Sequence, residues 1–333
     1  MKNKVTKQAA KRSIKNMAAF ACILAASVFA LSGCDGKRRL ENEESYRKIG
    51  LNQLENGNYE SAVNAFNKAL NERAGKVTAL EEDINFYKAY AQMEMGQTKD
   101  AVETYTALIE YDKKNGDAYY LRGLAYLSSG NEKQAVEDFK QAVEHKKDRG
   151  ELYAGIYEQL MLAGLIDEAS QYLEQGLKIK GDDALSCLSR GRLYLASGAY
   201  DQATIELEDA LKKEEPEANF YLGETARVQG DNEKAKEYYE AYAKDHAKDA
   251  RTLYALGKIA FEKEDYEQAA SYFQKGLECP DIIAVKSRLW AGKIAAMEHQ
   301  GDFSGARREM EAYLECYPND EQAKREYEFL KTR

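Results

Sequence analysis

The sequence predicts an all-α protein, an array of about eight stacked helical hairpins closed by a C-terminal capping helix. Three observations carry this expectation. The 333 residues include only 3 Pro and 23 Gly against 24 Tyr and 32% charged side chains, a composition that favours long helices over a turn-rich β architecture. Alanines recur at Ala62, Ala101, Ala135, Ala169, Ala203, Ala235, Ala269 and Ala306, spaced by 39, 34, 34, 34, 32, 34 and 37 residues. A near-constant period of this length is the mark of a repeated helical unit. Five residues before these alanines stand Gly57, Gly96, Gly130, Gly164, Gly198, Gly230, Glu264 and Gly301. Glycine is expected there if one helix ends in a left-handed residue before a tight turn.

Residues 1–33 come first and read as a secretory signal. Six basic side chains and no acidic ones precede an apolar run from Met17 to Leu31, too short for the roughly 20 residues that span a bilayer. The run ends in Leu31-Ser32-Gly33-Cys34, which resembles the lipobox of bacterial lipoproteins. That resemblance implies cleavage before Cys34 and a diacylglycerol, with its palmitate-type acyl chains, on the Cys34 thiol. Two or more acyl chains make membrane attachment lasting where one is marginal. Residues 34–42 are then expected to be the lipidated cysteine and a short tether. The implied location is the cell envelope, lipid-anchored on the extracytoplasmic face of the membrane. Of the remaining cysteines, Cys187, Cys279 and Cys316 fall at packing positions of the repeat and have no metal-ligand or CxxC spacing.

Residues 43–320 hold the array. Four residues after each anchor alanine stand Phe66, Tyr105, Phe139, Leu173, Leu207, Tyr239, Phe273 and Met310, all large and one turn along the same face. Twelve residues before come Gly50, Ala89, Gly123, Tyr157, Gly191, Gly223, Gly257 and Ile294. The small ones let neighbouring helix backbones approach closely, while Tyr157 and Ile294 must pack differently. Pro216, Pro280 and Pro318 fall 11 to 13 residues after an anchor, where each second helix should stop. The 39 and 37 spacings place small insertions near Asn71–Glu81 and Cys279–Lys286. Residues 321–333 form the capping helix, with Ala323, Tyr327 and Leu330 facing the last repeat.

On these residues the chain resembles the tetratricopeptide repeat (TPR) family. The resemblance implies a right-handed α-solenoid of about eight helix-turn-helix units, with the first helix of each lining a concave groove that binds protein partners. If that geometry holds, the groove faces sit 18, 15, 11, 8 and 7 residues before each anchor. In the first four repeats these slots hold Phe86, Tyr90, Tyr120 and many acids, among them Asp83, Asp117 and Glu151. In the last four they hold Arg192, Phe220, Arg227, Arg251, Tyr254, Lys258, Phe261 and Arg288. The first half of the groove is thus acidic and the second mixed with a basic cluster.

Aromatic rings among charges suit an extended peptide or a helix. The expected function is therefore a membrane-anchored scaffold or adaptor for a protein or peptide partner. The alternative is binding of cell-wall or exopolysaccharide glycans on Tyr90, Tyr120 and Tyr254; packing between helices is the plain reading of any one ring. Beyond residue 33 the chain has 42 basic and 57 acidic residues, a net −15, which disfavours nucleic acid. No phosphate loop, HExxH or GxSxG pattern occurs, so neither an enzyme, a metal, a cofactor nor a small-molecule substrate is expected.

Overall fold

The computed structural model describes residues 34–72, 77–279, 285–317 and 320–333, with the side chains of residues 34–37 and 316 outside the description. The signal segment 1–33, the side chain of Cys34, both expected insertions (73–76 and 280–284), Pro280, Pro318 and the Cys316 side chain lie outside the described residues.

Among the described residues the fold is seventeen helices without a strand: α1 (Cys34–Glu55), α2 (Tyr59–Asn71), α3 (Ala79–Glu94), α4 (Thr98–Tyr111), α5 (Gly116–Ser128), α6 (Glu132–His145), α7 (Gly150–Ala163), α8 (Ile166–Leu177), α9 (Ala184–Ala196), α10 (Tyr200–Lys212), α11 (Glu217–Val228), α12 (Asn232–Ala243), α13 (Ala250–Glu262), α14 (Tyr266–Leu277), α15 (Lys286–His299), α16 (Phe303–Cys316) and α17 (Glu321–Leu330). The chain divides into two compact units, Met1–Gly181 and Asp182–Arg333. Each holds four helical hairpins of the α-solenoid, α1–α8 in the first and α9–α16 in the second. Within a unit every hairpin packs on the next, and first helices of neighbouring hairpins also touch, as α5 does α7 and α13 does α15. Such a stack is held by contacts between neighbours alone.

The hairpin turn is built the same way eight times. Gly130 has φ +79°; its N–H donates to Leu127 O at 3.1 Å, and the Asn131 N–H donates to Tyr126 O at 2.9 Å. Together these close the end of α5 as a Schellman motif. In the seventh hairpin Glu264 takes the same left-handed conformation, φ 62°, without glycine's freedom.

Inside each hairpin, size is matched across the two helices. All eight anchor alanines are fully buried. An added Cβ on Gly223 would lie 2.6 Å from Tyr239, and one on Gly123 would lie 2.6 Å from Phe139. The ring four residues after the anchor therefore occupies the volume that the glycine leaves empty. The fourth hairpin inverts the match: Tyr157 is the buried ring, and Leu173 is only half-buried. Cys187 and Cys279 are buried and unpaired.

The C-terminal helix starts on Asp320, whose carboxylate accepts from the Gln322 and Ala323 N–H groups. Ala323 and Leu330 are buried against the last hairpin, and Tyr327 is partly buried there. Residues 34–42, expected as the lipidated cysteine and tether, form the first turns of α1; after Gly36 the stretch is rich in Lys, Arg, Leu and Glu, good helix formers.

Candidate functional site

The first helices of the second unit present an unusual pairing of guanidinium and ring. Phe220 on α11 is buried, edge-on to Tyr221 at 5.2 Å and near Tyr239 at 5.9 Å and Tyr242 at 6.2 Å. Arg251, 18 residues before the next anchor, lies 4.4 Å above the Phe220 ring. One hairpin later the contact recurs, with Arg288 at 5.0 Å over Tyr254. The Tyr254 ring sits 6.0 Å from Phe273. Arg192 is buried, its guanidinium 5.3 Å over Tyr221.

Most cations here are held by carboxylates. Arg251 Nη2 reaches Asp249 Oδ2 at 2.7 Å and Nη1 reaches Glu217 Oε1 at 3.5 Å. Burial disfavours the Arg251 charge, but the two carboxylates outweigh it and the guanidinium stays protonated at any working pH. Burial likewise pushes the Asp249 carboxyl up, yet Arg251 and the Thr252 N–H and hydroxyl more than offset this and hold it below the ordinary range. Arg227 donates to Glu224 at 2.8 Å, and the Tyr239 hydroxyl donates to the other oxygen of the same carboxylate. Lys258 lies 3.8 Å from Glu262. The basic cluster expected from sequence is thus largely neutralised by its own neighbours.

What stays half-exposed along this face is Tyr254, Lys258, Phe261, Arg227 and Arg251, with Arg288 exposed. Phe261 stands edge-on to Tyr266 and to His299, each at 5.2 Å, and His299 stacks on Tyr266 at 4.5 Å. His299 was not among the expected site residues, although it occupies the slot seven before Ala306 and the same register points to it. Tyr266, at the start of the second helix α14, lies outside that register.

The first unit differs. Phe86, Tyr90 and Tyr120 are 2%, 5% and 5% exposed, so these expected groove contacts are core residues. Phe86 packs on Tyr105 at 6.3 Å and Tyr120 on Phe139 at 6.0 Å. Each ring fills the seam between first and second helices, where apolar burial outweighs a place at the surface. Phe220 and Arg192, also expected in the groove, are likewise buried, Arg192 with its guanidinium over the Tyr221 ring. Of the three tyrosines expected to stack on sugars, only Tyr254 keeps an accessible face.

Three acidic slots of this unit are also compensated. Asp83 pairs with Arg47, Asp117 with Arg149 at 2.6 Å and Lys146 at 3.6 Å, and Glu151 with Arg149 at 3.3 Å. Lys146 and Arg149 sit in the link after α6, outside the groove slots, so a tally of slots alone could not count them. Among the described residues no group of three or more His, Cys, Asp or Glu is placed to hold a metal ion, and no helix is long and apolar enough to cross a membrane.

Models of the tetratricopeptide repeat match residues 43–74, 86–151, 188–235 and 222–281, together more than half of the chain. No curated protein matches it. Among solved structures, a tetratricopeptide repeat protein from Parabacteroides merdae is 16% identical, with a TM-score of 0.52 over 77% of this chain and 99% of that one. The Cut9–Hcn1 hetero-tetramer of APC/C gives the same TM-score at 14% identity over 88% of this chain; the match spans about half, 54%, of that chain. At these identities the likeness concerns the fold. The repeat register, the eight identical turns and the matched models agree, and the chain belongs to the tetratricopeptide repeat family.

Proposed function

We propose that this protein is a lipid-anchored scaffold on the extracytoplasmic face of the cell membrane. There it captures a protein or peptide partner on the first-helix face of its second unit. The fold is that of a protein-interaction scaffold. The observation that carries the finer reading is the half-exposed strip of Tyr254 under Arg288 and Phe261 against His299. Aromatic and arginine side chains held rigid before binding lose little entropy on contact and are the groups that dominate interface energy. Membrane attachment is supported by the basic-then-apolar leader that ends in Leu31-Ser32-Gly33-Cys34.

Two experiments test the parts separately. A photo-crosslinking amino acid at 254 or 261 in living cells is expected to trap one discrete partner, while the same probe at exposed Ile205 on α10 traps none. Equal trapping at all three positions would remove the second-unit strip from the proposal. Cys34→Ser is expected to lose fatty-acid labelling and to release the protein from membranes; retention in the membrane fraction would replace the lipid by an uncleaved signal anchor.

A further inference from the structure

We propose a second binding site on the opposite kind of helix, in the first unit: a cleft between the second helices α6 and α8 that takes a short acidic peptide segment bearing an apolar anchor. The cleft is open to solvent, with a volume of about 690 Å³. Lys140, Lys147, Lys178 and Lys180 stand around it against Glu144 and Asp148. In the lining itself lysines outnumber carboxylates four to two, in a body of net charge −15 beyond residue 33.

The lysines divide by what already holds them. Lys178 pairs with Glu174 at 2.5 Å and Lys140 lies 3.9 Å from Glu137, both solvent-facing pairs within one helical turn, which contribute little. Lys147 and Lys180 form no ion pair among the described residues and are exposed. Both lie beyond the ends of their helices, in the links after α6 and α8. The rest of the lining is mixed: Val143 and Ile179 are aliphatic, and Tyr153 and Tyr172 bring rings 6.5 Å apart. Burial pushes the Tyr172 hydroxyl far above its ordinary range, so it remains a hydrogen-bond donor.

Ammonium groups at the rim match carboxylates, the half-exposed Ile179 offers one apolar contact over the buried Val143, Tyr153 and Tyr172, and the exposed Gln171 and Gln175 amides match a peptide backbone. A simple polyanion would use the rim and leave Ile179 unused. The site shares no residue with the strip of the second unit, so either can fail without the other.

The test uses the full chain in detergent and a fluorescein-labelled dodecapeptide with glutamates flanking one Leu and one Phe, followed by anisotropy. Binding is expected to weaken at least ten-fold when Lys147→Glu is combined with Lys180→Glu, with an unchanged unfolding midpoint. Replacing the peptide's Leu and Phe by Ser is expected to cost at least five-fold, as is Ile179→Ser in the protein. Equal affinity of the double variant overturns the site. Equal affinity of the Ser peptide, or preferential binding of inorganic polyphosphate, overturns the peptide as occupant and leaves a polyanion patch.

Discussion

The first-helix strip of the second unit and the α6–α8 cleft of the first both gather cations, but they hold them differently. Arg251 is locked between Asp249, Glu217 and the Phe220 ring and is only 22% exposed in its side chain. Lys147 and Lys180 stand exposed beyond helix ends with no ion pair among the described residues. Arg251, two residues after Asp249 at a helix start, is part of the scaffold, and so are Lys146 and Arg149 in the link after α6, which reach back to Asp117; Lys147 in that same link and Lys180 after α8 point their charge to solvent. A partner of the strip therefore meets oriented rings more than net charge, and a partner of the cleft meets charge first.

The largest difference should appear in stability. Arg251→Ala leaves Asp249 and Glu217 without their shared cation and uncovers Phe220. Removing one member of a largely buried pair costs about 3 kcal/mol or somewhat less, given the residual exposure. The urea midpoint of the second unit is expected to fall accordingly, while Lys147→Ala leaves unfolding unchanged. Equal effects of the two substitutions would erase the distinction between locked and available cations.

Next in size is an acid limb. The Asp249 carboxyl is held below its ordinary 3.8 in the fold, so the native state binds this proton less readily than the unfolded chain. Its contribution is complete above about pH 4 and is lost as pH falls through the lower folded value. Asp249→Asn should flatten this part of the stability profile of the second unit. An unchanged acid limb in the variant would mean that other carboxylates carry it.

The array was legible because repetition multiplies weak signals. One glycine or one alanine means little, but Gly57 through Gly301 in phase with Ala62 through Ala306 specify turn and seam together. Positive φ at seven glycines and at Glu264 follows from that phase. The surface was less legible, because slot positions give the direction of a Cα and not the depth at which a long ring ends. Phe86 and Tyr120 leave the first helices at groove slots, yet their rings turn into the seam toward Tyr105 and Phe139. Charge was misjudged for a related reason. Asp117 looked unpaired until the chain brought Arg149 to 2.6 Å, 32 residues away in sequence. The α6–α8 cleft had no signal at all, since its lining comes from two second helices, their links and Tyr153, and matches no single register.

The smallest expected effect separates the cations within the strip itself. Arg288 is exposed and lies 5.0 Å over Tyr254, so a partner that covers the ring also covers the guanidinium. An exposed cation–π contact is worth about 0.5–1 kcal/mol, and its loss in Arg288→Ala should weaken partner capture about two- to five-fold. Lys258 is the contrasting case. It lies 3.8 Å from Glu262, one helical turn along α13, with both side chains more than 40% exposed, and its charge is turned to that carboxylate and to solvent. Lys258→Ala should leave capture within the error of the measurement. A loss at Lys258 equal to that at Arg288 would show that the partner reads the charge of this face and not its rings. The two regions would then bind by one principle, and the contrast between strip and cleft would reduce to location.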